Sequence, residues 1–369
     1  MLRYFWTAGI FALCAMAAAA PPTTAAGDKA GDSPAATPVT LHLKDEPVES
    51  AFEQFARAAN VRFTTNSPRF WERAGDRTVT LDADHAPYWR VLGDLCAAAG
   101  VAPVRSANGT VDLIGDGNGW SVHPSSIQGP FLVQAAAADS RRTVLLGRTL
   151  RRTSHCAVNL ALSAEPNLRA AYIDEIKFAA LDGADGQPIT RKPPPLPFKD
   201  EFHRGEAWVP ILLDPQPGVH LIKRLDATLT VVVVSQTKPL DVPDISKAQT
   251  IVRDIEDLTI TFTVHPAEGG CDVAGQAHYN GKDAARWQHI RGSLRVIQPR
   301  VLDAQRLEYP TAGVGGGGPG VGDIDFRVSY RTNPGAPVKL GPPHKFIWDI
   351  PTAFEELSVP VHFRDLPLP

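Results

Sequence analysis

Cysteine is scarce in this chain, with four among 369 residues. Cys14 falls in a leading apolar stretch, which leaves Cys96, Cys156 and Cys271, and an odd number excludes a fully paired intrachain framework. Their spacing fits no zinc pattern either. A surplus of one charge sign is also missing: 37 Lys and Arg stand against 40 Asp and Glu, a net charge of −3. No broad basic surface is therefore available to hold a phosphate backbone, and nucleic acid is not an expected partner. The eleven histidines are scattered, and no H-E-x-x-H or G-x-S-x-G motif occurs. No catalytic, cofactor-binding or metal-ligating residue is assigned, and the chain does not read as an enzyme.

What is present is an ordinary soluble composition, 43% hydrophobic and 21% charged, enough for a core without staples. The length suggests two or three domains. The 33 prolines and 30 glycines favour short strands joined by turns. Arg3 is followed by a charge-free run from Tyr4 to Ala20 that ends in four alanines. A short apolar core followed by small residues predicts a signal peptide over 1–26, a linker over 27–38, and export to the periplasm or beyond. A membrane anchor is the competing reading, but the run is short for a bilayer, so no membrane-spanning segment is expected in the mature chain. Leu13 before Cys14 argues against lipoprotein processing.

A repeat locates the first domain. Val39-Thr40-Leu41 recurs as Val79-Thr80-Leu81, Pro47 as Pro87, Ala58-Ala59 as Ala98-Ala99, and Val61 as Val101, always 40 residues on. Each unit begins with a strand. A helix follows, with Val48, Ala51, Phe52, Phe55, Ala56 and Ala59 on one face in the first unit. Tyr88, Val91, Leu92, Leu95, Cys96 and Ala99 take the matching positions in the second. The prolines suit the first helical turn, and Asn60 and Gly100 suit the left-handed residue that ends a helix. A second strand leaves each helix, and Asn108-Gly109 turns the last of these into Val111–Ile114. The expectation is an α+β module, a βαβ repeat over residues 39–115.

The stretches "VTLHLKDEPVESAFEQFARAANVRF" and "VTLDADHAPYWRVLGDLCAAAGV" resemble the short N-terminal domain shared by secretins and some TonB-dependent receptors. The resemblance covers about a fifth of the chain and implies a periplasmic protein-interaction module with no catalytic residues. The remainder departs from both parent families, because its strands read as too short and irregular for an outer-membrane barrel.

From Trp120 the pattern alternates with period two, as in Leu258–Val264, Ile324–Tyr330 and Leu357–Phe363. Alternation indicates half-buried antiparallel strands. The more continuous Thr228–Val234 suits a central strand, and Pro360 places the last strand at an edge. Two antiparallel β-sandwich domains are expected, over 120–242 and 243–369, with one helical patch at Asp283–Ile290. The segments "GPFLVQA", "CAVNLALSAEPNLRAAYI", "ALDGADGQPI" and "FIWDIPTAFEELSVPVHFRDLPLP" resemble parts of large families of uncharacterised secreted bacterial β-sandwich proteins.

Several clusters have the residue types of a site, and each also has a plainer reading. His42 suits a strand, and His203, His289 and His344 suit loops or helix ends. Asp182, Asp185 and Gly186 lack the full calcium-loop pattern and suit a turn. Gly313–Gly322 lacks the strand, helix and lysine of a phosphate loop and suits a hairpin tip. Ser154-His155-Cys156 are neighbours in a strand and so alternate between faces. Pro193-Pro194-Pro195 with Pro197 suit a stiff loop. Arg141, Arg142, Arg148, Arg151 and Arg152 form a basic group that would suit an anionic polymer or lipid headgroup, with a solvated loop as the plainer reading. Trp120, Trp208, Trp287 and Trp348 would suit sugar stacking, with core as the plainer reading.

The sequence therefore favours a non-enzymatic extracytoplasmic interaction or scaffold protein that docks an envelope or extracellular protein through its N-terminal module. The alternative is a carbohydrate-binding or carbohydrate-active β-sandwich protein. Cleavage is expected between Ala19 and Ala26. N-terminal sequencing of exported protein checks this, and an intact Met1 in membrane-extracted material would mean an anchor.

Overall fold

A computed structural model gives the fold. It describes residues 35–65, 69–74, 77–107, 110–115, 123–145, 151–192, 200–203, 205–214, 219–317, 322–332 and 339–369. The expected signal peptide and most of the expected linker lie outside them. Contacts link the described residues into one compact unit.

The 40-residue repeat is written into the backbone. The elements run β1 (Pro38–Pro47), α1 (Val48–Ala59), β2 (Arg62–Thr65), α2 (Phe70–Ala74), β3 (Thr78–Pro87), α3 (Tyr88–Ala99), β4 (Ala102–Ala107) and β5 (Thr110–Ile114). β1 pairs with β3 antiparallel, so each repeat lends its first strand to the other. The bonds obey the same offset. Val48 N donates to Arg77 O as Tyr88 N donates to Thr37 O, and Val61 N donates to Ala56 O as Val101 N donates to Cys96 O. Asn60 and Gly100 both take left-handed φ angles, 52° and 65°, where each helix stops. β2 and β4 flank β5, parallel on one side and antiparallel on the other. Val39, Leu41, Leu43 and Val79 from the ribbon meet Phe52, Phe55, Leu92 and Leu95 from the helices. Cys96 is buried there as a free thiol, and burial pushes its pKa well up.

The rest is β-rich, with one further helix. Its elements are β6 (Ser125–Gln128), β7 (Phe131–Leu145), β8 (Arg151–Ala164), β9 (Ala170–Gly183), β10 (Asp200–Glu201), β11 (Glu206–Leu213), β12 (Leu221–Val242), β13 (Gln249–Ile255), β14 (Leu258–Ala267), β15 (Gly270–Tyr279), α4 (Ala284–Val296), β16 (Arg300–Asp303), β17 (Thr311–Gly317), β18 (Asp323–Arg331) and β19 (Pro343–Pro367). They form sheets ordered β10-β9-β12-β19-β16, β11-β8-β7-β6 and β13-β14-β15-β18-β17.

Proline content predicts short strands, yet β12 has 22 residues and β19 has 25. They pair from Leu221↔Pro367 to Val242↔Phe346, with irregularities at Val234, Gln236 and Thr237. Such irregularities bend a strand, and here the two halves enter different cores. Leu225, Leu229, Val231, Val359, Val361 and Phe363 pack with β7, β8 and β11. Leu240, Val242, Phe346, Trp348 and Ile350 pack with β13–β15 and β18. The division expected near 242 thus falls at the end of a shared strand, and residues after Phe354 return to the first core.

Thr228–Val234 lies in the middle strand of its sheet, as its continuous apolar run suggests. Val231 and Val233 face one core, while Val232 and Val234 pack with Ala171 and Tyr172 on the other face. α4 covers that second face. Asp283 caps it by accepting from Ala285 N and Arg286 N. A Cβ at Gly292 would fall 2.5 Å from the Tyr172 ring, so only glycine lets the helix sit this close.

Phe52 and Leu92, 1% and 0% exposed, each fill the core beneath the ribbon. Phe52→Ala and Leu92→Ala are each expected to cost roughly 2–5 kcal/mol, measured by denaturant unfolding. Wild-type stability in both would contradict this packing.

Candidate interaction surface

β1 and β3 pair with each other alone, so among the described residues each keeps one edge without a strand against it. Their outward positions are polar because period-two alternation sends the apolar set to the helices. Thr40, His42, Lys44, Thr80, Asp82 and Asp84 are all exposed. Thr40 Oγ1 accepts from His85 N at 3.1 Å, and Thr80 Oγ1 accepts from Asp45 N at 3.0 Å. These contacts are again 40 residues apart, and both His85 and Asp45 have positive φ. His42 Nδ1 lies 2.5 Å from Asp82 Oδ1, and His85 Nδ1 lies 2.5 Å from Asp84 Oδ1. The hydrogen bond with His85 holds the Asp84 carboxyl below the usual range.

One end of this ribbon, where Pro38 pairs with Pro87, is tied down. Glu165, 4% exposed in the loop between β8 and β9, accepts from Thr37 N at 3.1 and 3.2 Å and from Thr37 Oγ1 at 2.5 Å. Asn167 Nδ2 donates to the carbonyls of Ala59 and Asn60 at the end of α1. Trp89 Nε1 donates to Pro130 O at 3.0 Å, and Leu132 of β7 joins the core under the ribbon. The Tyr88 hydroxyl is buried beside this contact with no hydrogen-bond partner among the described residues. Burial raises the Glu165 pKa, and the bonds from Thr37 only partly oppose it. No local signal in the sequence marks Glu165 or Asn167, because their partners lie more than 100 residues away.

The candidate clusters do not converge among the described residues. His203 is exposed, 3.9 Å from Glu201. His289 lies within α4, 2.7 Å from the Tyr172 hydroxyl, and His344 lies in β19, so neither is the loop or helix-end residue expected. Among the described residues no group of three or more His, Cys, Asp or Glu is arranged to hold a metal. Asp185 accepts from Gln187 N, and Gly186 has φ 76°, which makes "DGADGQ" a turn. Gly313, Gly315, Gly316 and Gly317, expected in a hairpin tip, instead pair with β18 as part of β17, since backbone pairing needs no side chain. Cys156 is buried at the start of a core pattern, and burial raises its pKa, so it is not held as a thiolate. Pro193–Pro197, Arg148 and Trp120 lie outside the described residues.

The tryptophans separate. Trp287 stacks on Tyr279 at 5.5 Å, and Trp348 Nε1 donates to Ile297 O at 2.6 Å, both inside the core. Trp208 does not follow them: it is 52% exposed. β11 is an edge strand whose alternation buries Ala207, Val209, Ile211 and Leu213 and leaves Trp208 on the other face.

Comparison with models of protein families, with curated proteins and with solved structures returned no match.

A carboxylate whose folded pKa is raised binds more protons folded than unfolded, so its contribution to stability falls as pH rises from the ordinary carboxylate range through the raised value. Glu165→Gln keeps an acceptor for Thr37 and removes the charge. The melting temperature of wild type relative to Glu165→Gln is therefore expected to decline across that window. A difference that stays constant with pH would contradict the burial of an ionised Glu165.

Proposed function

We propose that the chain is a non-enzymatic extracytoplasmic interaction protein that docks a protein partner through residues 39–115, a βαβ-repeat module of the secretin and TonB-receptor type. The remaining sheets act in this reading as sandwich-like supports. The observation that carries it is the asymmetry of the N-terminal region. One end is fixed to the rest of the chain through Glu165, Asn167 and Trp89, while the β1–β3 ribbon keeps unpaired edges and an exposed polar face. An unpaired edge offers N–H and C=O groups in register for an added strand. The flanking Thr, His and Asp side chains would select the partner by charge and hydrogen bonding.

The exposure of Trp208 supports the alternative, carbohydrate binding. It is the weaker reading because Trp287 and Trp348 are core residues, which leaves one exposed aromatic among the described tryptophans of that set.

Site-specific photo-crosslinking in envelope preparations separates the two. A photoreactive residue at His42 or Thr80 is expected to trap a discrete protein adduct, and one at Trp208 or Val252 is not. Adducts from the sheet positions alone, or glycan binding lost on Trp208→Ala, would overturn the proposal.

A further inference from the structure

The pairing of β1 with β3 is its own image. Exchanging the two strands by the repeat offset turns Val39↔Ala86 into Glu46↔Val79 and Leu41↔Ala83 into Leu43↔Leu81. His42↔Asp82 maps onto itself, so a local two-fold axis passes through that pair. The irregularities obey the same axis. They lie between Val39 and Leu41 and between Leu43 and Glu46, and the matched residues Asp45 and His85 take φ 50° and 47°. The outer edges of β1 and β3 are therefore alike in backbone.

They differ in charge. At outward positions matched by the repeat, β1 carries Thr40, His42 and Lys44, and β3 carries Thr80, Asp82 and Asp84, all exposed. Val39, Leu41, Leu43 and Val79 face the helices. A strand added with its apolar side toward the helices keeps this parity, since a slip of one residue would turn its buried set outward.

We infer that the occupant of this surface is a second copy of the chain, with the outer edge of β1 in one copy pairing with the outer edge of β3 in the next. This rests on the reading of the ribbon as the docking surface and names what docks there. Two such edges can meet in three ways. β3 against β3 brings Asp82 and Asp84 against their own kind, and β1 against β1 does the same with His42 and Lys44. Like charges facing each other across strands are destabilising. β1 against β3 sets His42 and Lys44 against Asp82 and Asp84. It repeats between copies the complement that the ribbon already makes where His42 meets Asp82. Charged edges also turn away an uncharged strand, which would leave the charge without a partner. Pro38, Pro47 and Pro87 end the strands, and their missing N–H confines the contact to the residues between. The contact joins unlike edges, so each pair of copies keeps one edge of either kind free. Assembly then continues head to tail into a ring or filament instead of closing as a dimer.

The test is sedimentation velocity of the full chain over a concentration series, at low and at high salt. Species larger than a dimer are expected to grow with concentration and to shrink with added salt, which screens exposed charges. His42→Asp with Lys44→Asp makes both edges acidic, and Asp82→Lys with Asp84→Lys makes both basic. Each double variant alone should associate about tenfold or more weakly than wild type. Mixing the two should restore association, which separates lost charge from lost fold. A wild type that stays monomeric at every concentration overturns the inference, as does a distribution that stops at the dimer or association equal in wild type and both variants. A photoreactive residue at Thr80 that traps a different protein, while wild type stays monomeric, would keep the ribbon as a docking site and remove the second copy as its occupant.

Discussion

Two strands distant in sequence hold the β-rich part together. β12 and β19 pair over twenty positions, and the irregular step near Gln236 lets one ladder serve two cores. On one side of that step the ladder supplies Val231, Val233, Val359 and Val361 to the core closed by β7, β8 and β11. On the other it supplies Leu240, Phe346 and Trp348 to the core closed by β13–β15 and β18. A knot of charge fixes its far end. The buried Asp226 carboxylate of β12 takes Arg364 at 2.7 Å and His362 at 3.0 Å from β19, together with Arg224 from its own strand. The bond from Arg364, supported by those from His362 and Arg224, holds the carboxyl far below its usual pKa, so it stays ionised between its partners across physiological pH.

The N-terminal region depends on that framework. The loop after β8 holds it at two points, Glu165 at Thr37 before β1 and Asn167 at the end of α1, and β8 is positioned by the core that β12 and β19 build. This contact decides which surface is left over. Thr37, the end of α1 and the Trp89 indole are used for attachment, so among the described residues the ribbon face and its edges are left uncovered by strands.

Legibility in the sequence followed locality. The 40-residue repeat could be read to within a residue or two because its signals, a proline before each helix and Asn60 or Gly100 after it, act on adjacent backbone. Alternating strands such as Leu258–Val264 were legible for the same reason, as was the helical patch after Asp283, although α4 runs on to Val296. Strand pairing was not legible. Partners such as Val231 and Leu357 are 126 positions apart, and only the assembled cores choose between possible neighbours. Trp208 was misread as core because an apolar strand looks alike at the centre and at the edge of a sheet, and only its position in the sheet decides which parity is covered. For the candidate surface, the sequence directs attention to residues 39–115 only through a resemblance. It held no trace of the Glu165 clamp that sets the region's orientation.

If one ladder supports both cores, the cores cannot open independently. Hydrogen exchange of Trp348→Ala, which hollows the second core, tests this most directly. The account predicts that amides of β7 and β8 around Val133 and Leu160, in the first core, lose protection together with those of β14 and β15. First-core protection at the wild-type level, with exchange accelerated only in β13–β15 and β18, would show that the cores are separate units and that the shared strands do not couple them.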